Sequence, residues 1–130
     1  MTCERPSRRR RQGRSQLFCE TMSSITTHVL DTTRGRPAAG IPATLDFQIS
    51  DKEWKQIGSG VTDADGRIRT LMDAGVGITK GVYRLTFDIE SYQPGFYPHV
   101  VLVFRVDDPN EHYHVPLLLG AFGYTTYRGS

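Results

Sequence analysis

Ala43-Thr44-Leu45-Asp46-Phe47-Gln48-Ile49 sets apolar residues at 43, 45, 47 and 49 against polar ones at 44, 46 and 48. Period two marks a strand with one buried face, because successive side chains leave a pleated backbone on opposite sides. The pattern returns in Gly81 to Ile89, where Tyr83, Leu85, Phe87 and Ile89 share a side. The 7 Pro and 13 Gly are scattered among Val, Ile, Tyr, Phe and Thr. That composition predicts short strands joined by tight turns rather than a helical bundle.

Working outward, Ile25 to Leu30 reads as a first strand, ended by the turn-rich Asp31 to Pro37. Trp54 to Thr62 is the next. Asp63-Ala64-Asp65-Gly66 is a tight turn, since Asp bonds back to its own backbone and Gly supplies positive φ. A strand from Arg67 to Leu71 follows it, then a Gly-rich loop, then the strand at 81–89, with one helical turn within Asp88 to Pro94. His99 to Val106 is nearly continuous in apolar residues and closes at Asp107-Asp108-Pro109-Asn110. His112 to Leu119 and Tyr124 to Tyr127 bring the count to about eight strands, a spacing that predicts an all-β sandwich.

The 130 residues suit one domain. The longest apolar run, Val100 to Phe104, has the length of a strand and not the ~20 residues of a membrane span. The net charge of +2 is unevenly distributed. Arg5, Arg8, Arg9, Arg10, Arg11 and Arg14 stand against Glu4 and Glu20 in the first 24 residues, leaving residues 25–130 with 10 basic and 12 acidic side chains. Residues 1–24 therefore read as a disordered basic arm and 25–130 as the domain, whose slightly acidic balance argues against a nucleic-acid partner. Cys3 and Cys19 both lie in the arm, so the domain can build neither a disulfide nor a cysteine zinc site. The arm lacks the apolar segment of a secretory signal; Arg9 and Gln16-Leu17 have the outer spacing of a peroxisomal address, with Arg10 where an aliphatic residue belongs. A cytoplasmic location is expected, with a peroxisomal one as the alternative.

Two chemical signals fail on inspection. Asp63 to Gly66 spells part of a calcium loop without its later ligands, and Gly75 to Lys80 has only the composition of a phosphate loop. His112 and His114 are more informative, because two strand residues two apart project from one face. With His28 or His99 they could approach a metal, yet no third ligand stands at characteristic spacing and no metal is expected.

Thr27-His28-Val29-Leu30-Asp31, Asp65-Gly66-Arg67, Glu111-His112-Tyr113-His114-Val115-Pro116-Leu117-Leu118-Leu119 and the terminal Tyr127-Arg128-Gly129-Ser130 together resemble the transthyretin-like proteins that act as 5-hydroxyisourate hydrolases. The resemblance covers residues 25–130. It implies a two-sheet sandwich of four strands each, one short helix, a homotetramer, a small purine-derived substrate and no cofactor. It also implies a catalytic set of His28, Arg67 and His114, with Tyr127, Arg128, Gly129 and Ser130 at the substrate site. These residue types suit ring hydrolysis, because histidine titrates near neutrality and arginine offers a planar fork of donors to a heterocycle's carbonyl oxygens. Gly120-Ala121 departs from the pattern where a Ser is usual, as does His99 where an acidic residue is common. A carrier of small molecules without catalysis is the alternative, since the same sandwich serves that purpose in transthyretin.

Overall fold

A computed structural model of the chain describes residues 24–129. Apart from Ser24, the basic arm lies outside the described residues, as does Ser130. Among the described residues nine strands form: β1 (Ile25–Asp31), β2 (Arg36–Pro37), β3 (Pro42–Ser50), β4 (Glu53–Val61), β5 (Arg67–Ile68), β6 (Gly81–Asp88), β7 (His99–Val106), β8 (Tyr113–Leu119) and β9 (Tyr124–Thr126). One short helix, α1 (Ile89–Tyr92), sits between β6 and β7, and the Asp88 side chain caps it by accepting from the Ser91 N–H.

The strands build two sheets. One runs β4-β3-β6-β7; the other runs β2-β1-β8-β9, with β5 also paired to β1. Alternation decides what lies between them: Leu45, Tyr83, Leu85, Phe87, Val29 and Leu117 are fully buried in a common core. Tyr83 carries a hydroxyl into it without penalty, because that hydroxyl donates to the Thr79 carbonyl at 2.7 Å and accepts from the Thr79 N–H at 2.9 Å.

The expected two four-stranded sheets are thus a five- and a four-stranded one. Arg36–Pro37, expected as turn, pairs with Leu30–Asp31. The strand expected over Arg67 to Leu71 ends at Ile68, because the chain then leaves β1 and Met72 bridges to Gly58 of the other sheet. Ile49, expected on the buried face, is 55% exposed. The register shift between Gln48 and Ser50 leaves Ile49 out of the ladder with β4, while Asp46 keeps its place opposite Arg84 and is buried beside it. Arg84 meets that carboxylate at 2.9 Å.

Candidate active site

β1 is the strand on which the site is assembled. Its residues 25, 27, 29 and 31 are buried in the core, which turns Thr26, His28 and Leu30 to the outer face of the five-stranded sheet. Residues paired directly across a sheet share a face. His28 is paired with Arg67 on β5, and Thr26 with His114 on β8. Arg67 and His114 therefore flank β1 on the same side, about 12 Å apart by strand spacing and a two-residue offset along β1. An open cleft of about 410 Å³ lies among Thr26, Arg67, His112 and His114. His28 stands beside that cleft rather than in its wall.

The turn before β5 holds both His28 and Arg67. Asp63 accepts the N–H groups of Asp65 at 2.9 Å and Arg67 at 3.0 Å, which fixes the turn. The Asp65 carbonyl then accepts His28 Nε2–H at 2.8 Å. A carbonyl only accepts, so the neutral His28 ring keeps its lone pair on Nδ1. Gly66 makes this approach possible: its φ is +78°, and a Cβ there would stand 2.4 Å from the Val29 carbonyl oxygen. Gly66→Ala is expected to cost about 2–3 kcal/mol of stability from backbone strain and the clash, and to lower activity by displacing Arg67. Urea unfolding together with kcat/KM on the same sample checks both effects.

On the other flank, Thr26 Oγ1 lies 2.8 Å from His114 Nδ1 and 3.2 Å from His112 Nε2, while Ser24 Oγ lies 3.1 Å from His112 Nδ1. A hydroxyl carries one proton. When His114 Nδ1–H donates to Thr26, Thr26 donates to His112 Nε2, His112 Nδ1–H donates to Ser24, and His114 Nε2 is left as a lone pair. Burial first, then the charge of Arg67, then those of His112 and His28, hold the His114 imidazole below its ordinary value of 6.5. Burial and Arg128 lower His112 similarly. Both rings thus favour the neutral, basic form.

A pH dependence follows. With His114 as the base of a hydrolysis, the acid limb of kcat/KM should fall below pH 6.5, because a base so depressed loses its lone pair only there. Arg67→Gln should move that limb upward. In stability the sign is the same: a depressed histidine makes the unfolded chain the stronger proton binder, so stability is present above the ordinary histidine value and declines as pH falls below it. Rate profiles and urea midpoints between about pH 5 and 8 measure both.

The terminal residues are placed unequally. Gly129 N–H donates to the His114 carbonyl at 2.8 Å, and a Cβ on Gly129 would stand 2.7 Å from His114 Cδ2, so the glycine lies flat against the imidazole. Tyr127 is 55% exposed. Arg128 reaches away from the cleft to Glu111. Ser130 lies outside the described residues. Among the described residues no group of three His, Cys, Asp or Glu is close enough to hold a metal ion, and His99 stands on β7 of the other sheet.

A two-sheet sandwich with a histidine–arginine cleft on its outer face defines a transthyretin-like β-sandwich protein. The chain belongs to the HIUase/Transthyretin family, whose model matches residues 25–129. It is 44% identical over 119 residues to the "Uric acid degradation bifunctional protein TTL" of Arabidopsis thaliana, covering 82% of this chain and 37% of that longer protein. With the 5-hydroxyisourate hydrolase of Mus musculus it shares 41% identity over 114 residues, covering 83% of this chain and 96% of the mouse protein. Among solved structures, 5-hydroxyisourate hydrolase of Klebsiella pneumoniae superposes with a TM-score of 0.69 at 28% identity, covering 82% and 98% of the two chains. Sea bream transthyretin in complex with thyroxine superposes with a TM-score of 0.72 at 32% identity, covering 81% and 93%. Among the described residues no helix is long and apolar enough to cross a membrane.

Proposed function

We propose that the chain hydrolyses 5-hydroxyisourate in urate degradation, adding water across a cyclic amide so that the six-membered ring opens to 2-oxo-4-hydroxy-4-carboxy-5-ureidoimidazoline. The observation that carries the reading is the placing of Arg67 and His114 on either side of β1 on one polar face, opposite His28 and Thr26, in a chain whose relatives bear the hydrolase name. His114 Nε2 takes a proton from water as it attacks the ring carbonyl. Arg67 donates to the carbonyl oxygen as negative charge develops there. The carbon–nitrogen bond breaks, and the proton held by the imidazole passes to the departing ring nitrogen. His28, fixed through Nε2 on Asp65, presents Nδ1 as its remaining polar atom toward the substrate. Tyr127, Gly129 and Ser130 close the substrate side, with Arg128 turned to Glu111. Water is the sole co-reactant and no cofactor takes part.

The assembly proposed is a homotetramer in the cytoplasm or peroxisome. Phe96, Val103 and Phe122 support association, being 65%, 60% and 79% exposed although apolar. The carrier reading draws on the thyroxine-bound sea bream structure, but a cleft walled by histidine, arginine and threonine suits a polar heterocycle better than an apolar hormone. An ultraviolet assay with freshly generated 5-hydroxyisourate decides between them: accelerated decay is expected, and decay no faster than the spontaneous rate would sink the hydrolase.

A further inference from the structure

β9 follows one antiparallel register along β8, with Leu119 opposite Tyr124 and Leu117 opposite Thr126. In the same register Gly129 then bridges to His114. Between these points Tyr127 and Arg128 have no ladder partner. Pro116 stands where the ladder lapses; it has no N–H to donate, and its carbonyl is taken at 2.8 Å by the Thr126 hydroxyl. Backbone without ladder partners frays unless something ties it down.

The tie is Arg128. Its Nη2 donates to Glu111 Oε1 at 2.9 Å and reaches the His112 carbonyl at 3.4 Å, and its guanidinium lies 4.3 Å from the centre of the Tyr113 ring. The ion pair alone would be weak, since the two side chains are 55% and 51% exposed. The ring beneath it is immobile: Tyr113 is buried, and its hydroxyl donates to the Asp108 carbonyl and accepts the Asp108 N–H, each at 3.0 Å. A carboxylate on one side and a fixed aromatic face below hold a planar cation better than either would alone.

We infer that Glu111 is a positioning residue, whose carboxylate latches Arg128 and so keeps Gly129 against the His114 imidazole. Arg128 is then a strap anchor and not a substrate contact. This deepens the hydrolase reading and rests on it. Glu111 pushes the Arg128 guanidinium above its ordinary value, as a preferred partner should.

A double-mutant cycle on the full chain, with 5-hydroxyisourate as substrate, tests the latch. Glu111→Gln and Arg128→Gln should each lower kcat about tenfold, with KM changed less than about twofold. The double variant should be no slower than either single, and the charge-swapped pair Glu111→Arg with Arg128→Glu should recover most of the loss. The acid limb of kcat/KM should rise in Glu111→Gln as water reaches the His114 ring. Losses that multiply in the double variant, or a large KM effect confined to Arg128→Gln, would overturn the latch in favour of direct substrate contact. Amide exchange at Gly129 is a readout independent of activity: roughly tenfold faster exchange is expected in Glu111→Gln, and unchanged protection would overturn the latch. Wild-type protein inactive on the substrate would instead remove the hydrolase reading while the exchange arm still judged the latch.

Discussion

Replacing His114 with alanine should lower kcat/KM for 5-hydroxyisourate by roughly a hundred- to ten-thousandfold, the usual contribution of a positioned general base. The loss should appear mainly in kcat, since the ring's proposed work is proton transfer in the transition state and not ground-state binding. Stability should change little by comparison. His114 is only half-buried, on the outer face of the sheet, and the core beneath it is built by Tyr113, Val115 and Leu117. The variant should also lose the acid limb of the pH profile, because the group that defines it is gone. Activity within about threefold of wild type, at an unchanged melting temperature, would remove His114 from the mechanism.

Removing Arg128, Gly129 and Ser130 should depress turnover about a hundredfold, near 3 kcal/mol in the transition state, while moving the melting temperature little. The asymmetry follows from where the contacts lie. Gly129 touches the His114 ring and backbone, and Arg128 grips the exposed side chain of Glu111. Neither adds an apolar side chain to the core, so little hydrophobic burial is lost. Measuring kcat and melting temperature on one truncated sample separates the outcomes. Full activity would exclude the strap from the site; a collapsed melting temperature would make it a structural clasp.

Period two alone places most of the sandwich. Tyr83, Leu85, Phe87 and Ile89 are all buried as their alternation predicts, and His112 and His114 share a face for the same reason. Where the backbone leaves strict alternation the sequence is mute: the irregularity that takes Ile49 out of the β3–β4 ladder has no local spelling. The two-residue strands β2 and β5 are too short to show a period at all. Arg67 is legible as a site residue only through family resemblance, because its partner His28 lies 39 positions away and nothing local announces that pairing. Thr26 is within reach, standing one alternation from His28 on the same face. The Asp65 carbonyl is not, since a backbone oxygen carries no residue signature. Glu111 is legible only as part of the 111–119 motif, and nothing local announces that Arg128 returns beside it.

The parallel pairing of β1 with β8 joins Ile25 to Tyr113 and Asp31 to Leu119, bringing nearly opposite ends of the domain side by side. Such pairings form late and slowly, because a long intervening loop must close before any contact rewards it. The cleft straddles this seam. A refolding chain can thus complete the β3–β4 and β6–β7 hairpins and bury much of its core with no functional centre yet present. Regained turnover would then time the closure of one long-range seam, while far-ultraviolet signal reports the earlier, local hairpins. In a cell, the same delay leaves the unpaired edge of β1 exposed during synthesis until residues 113–119 have emerged.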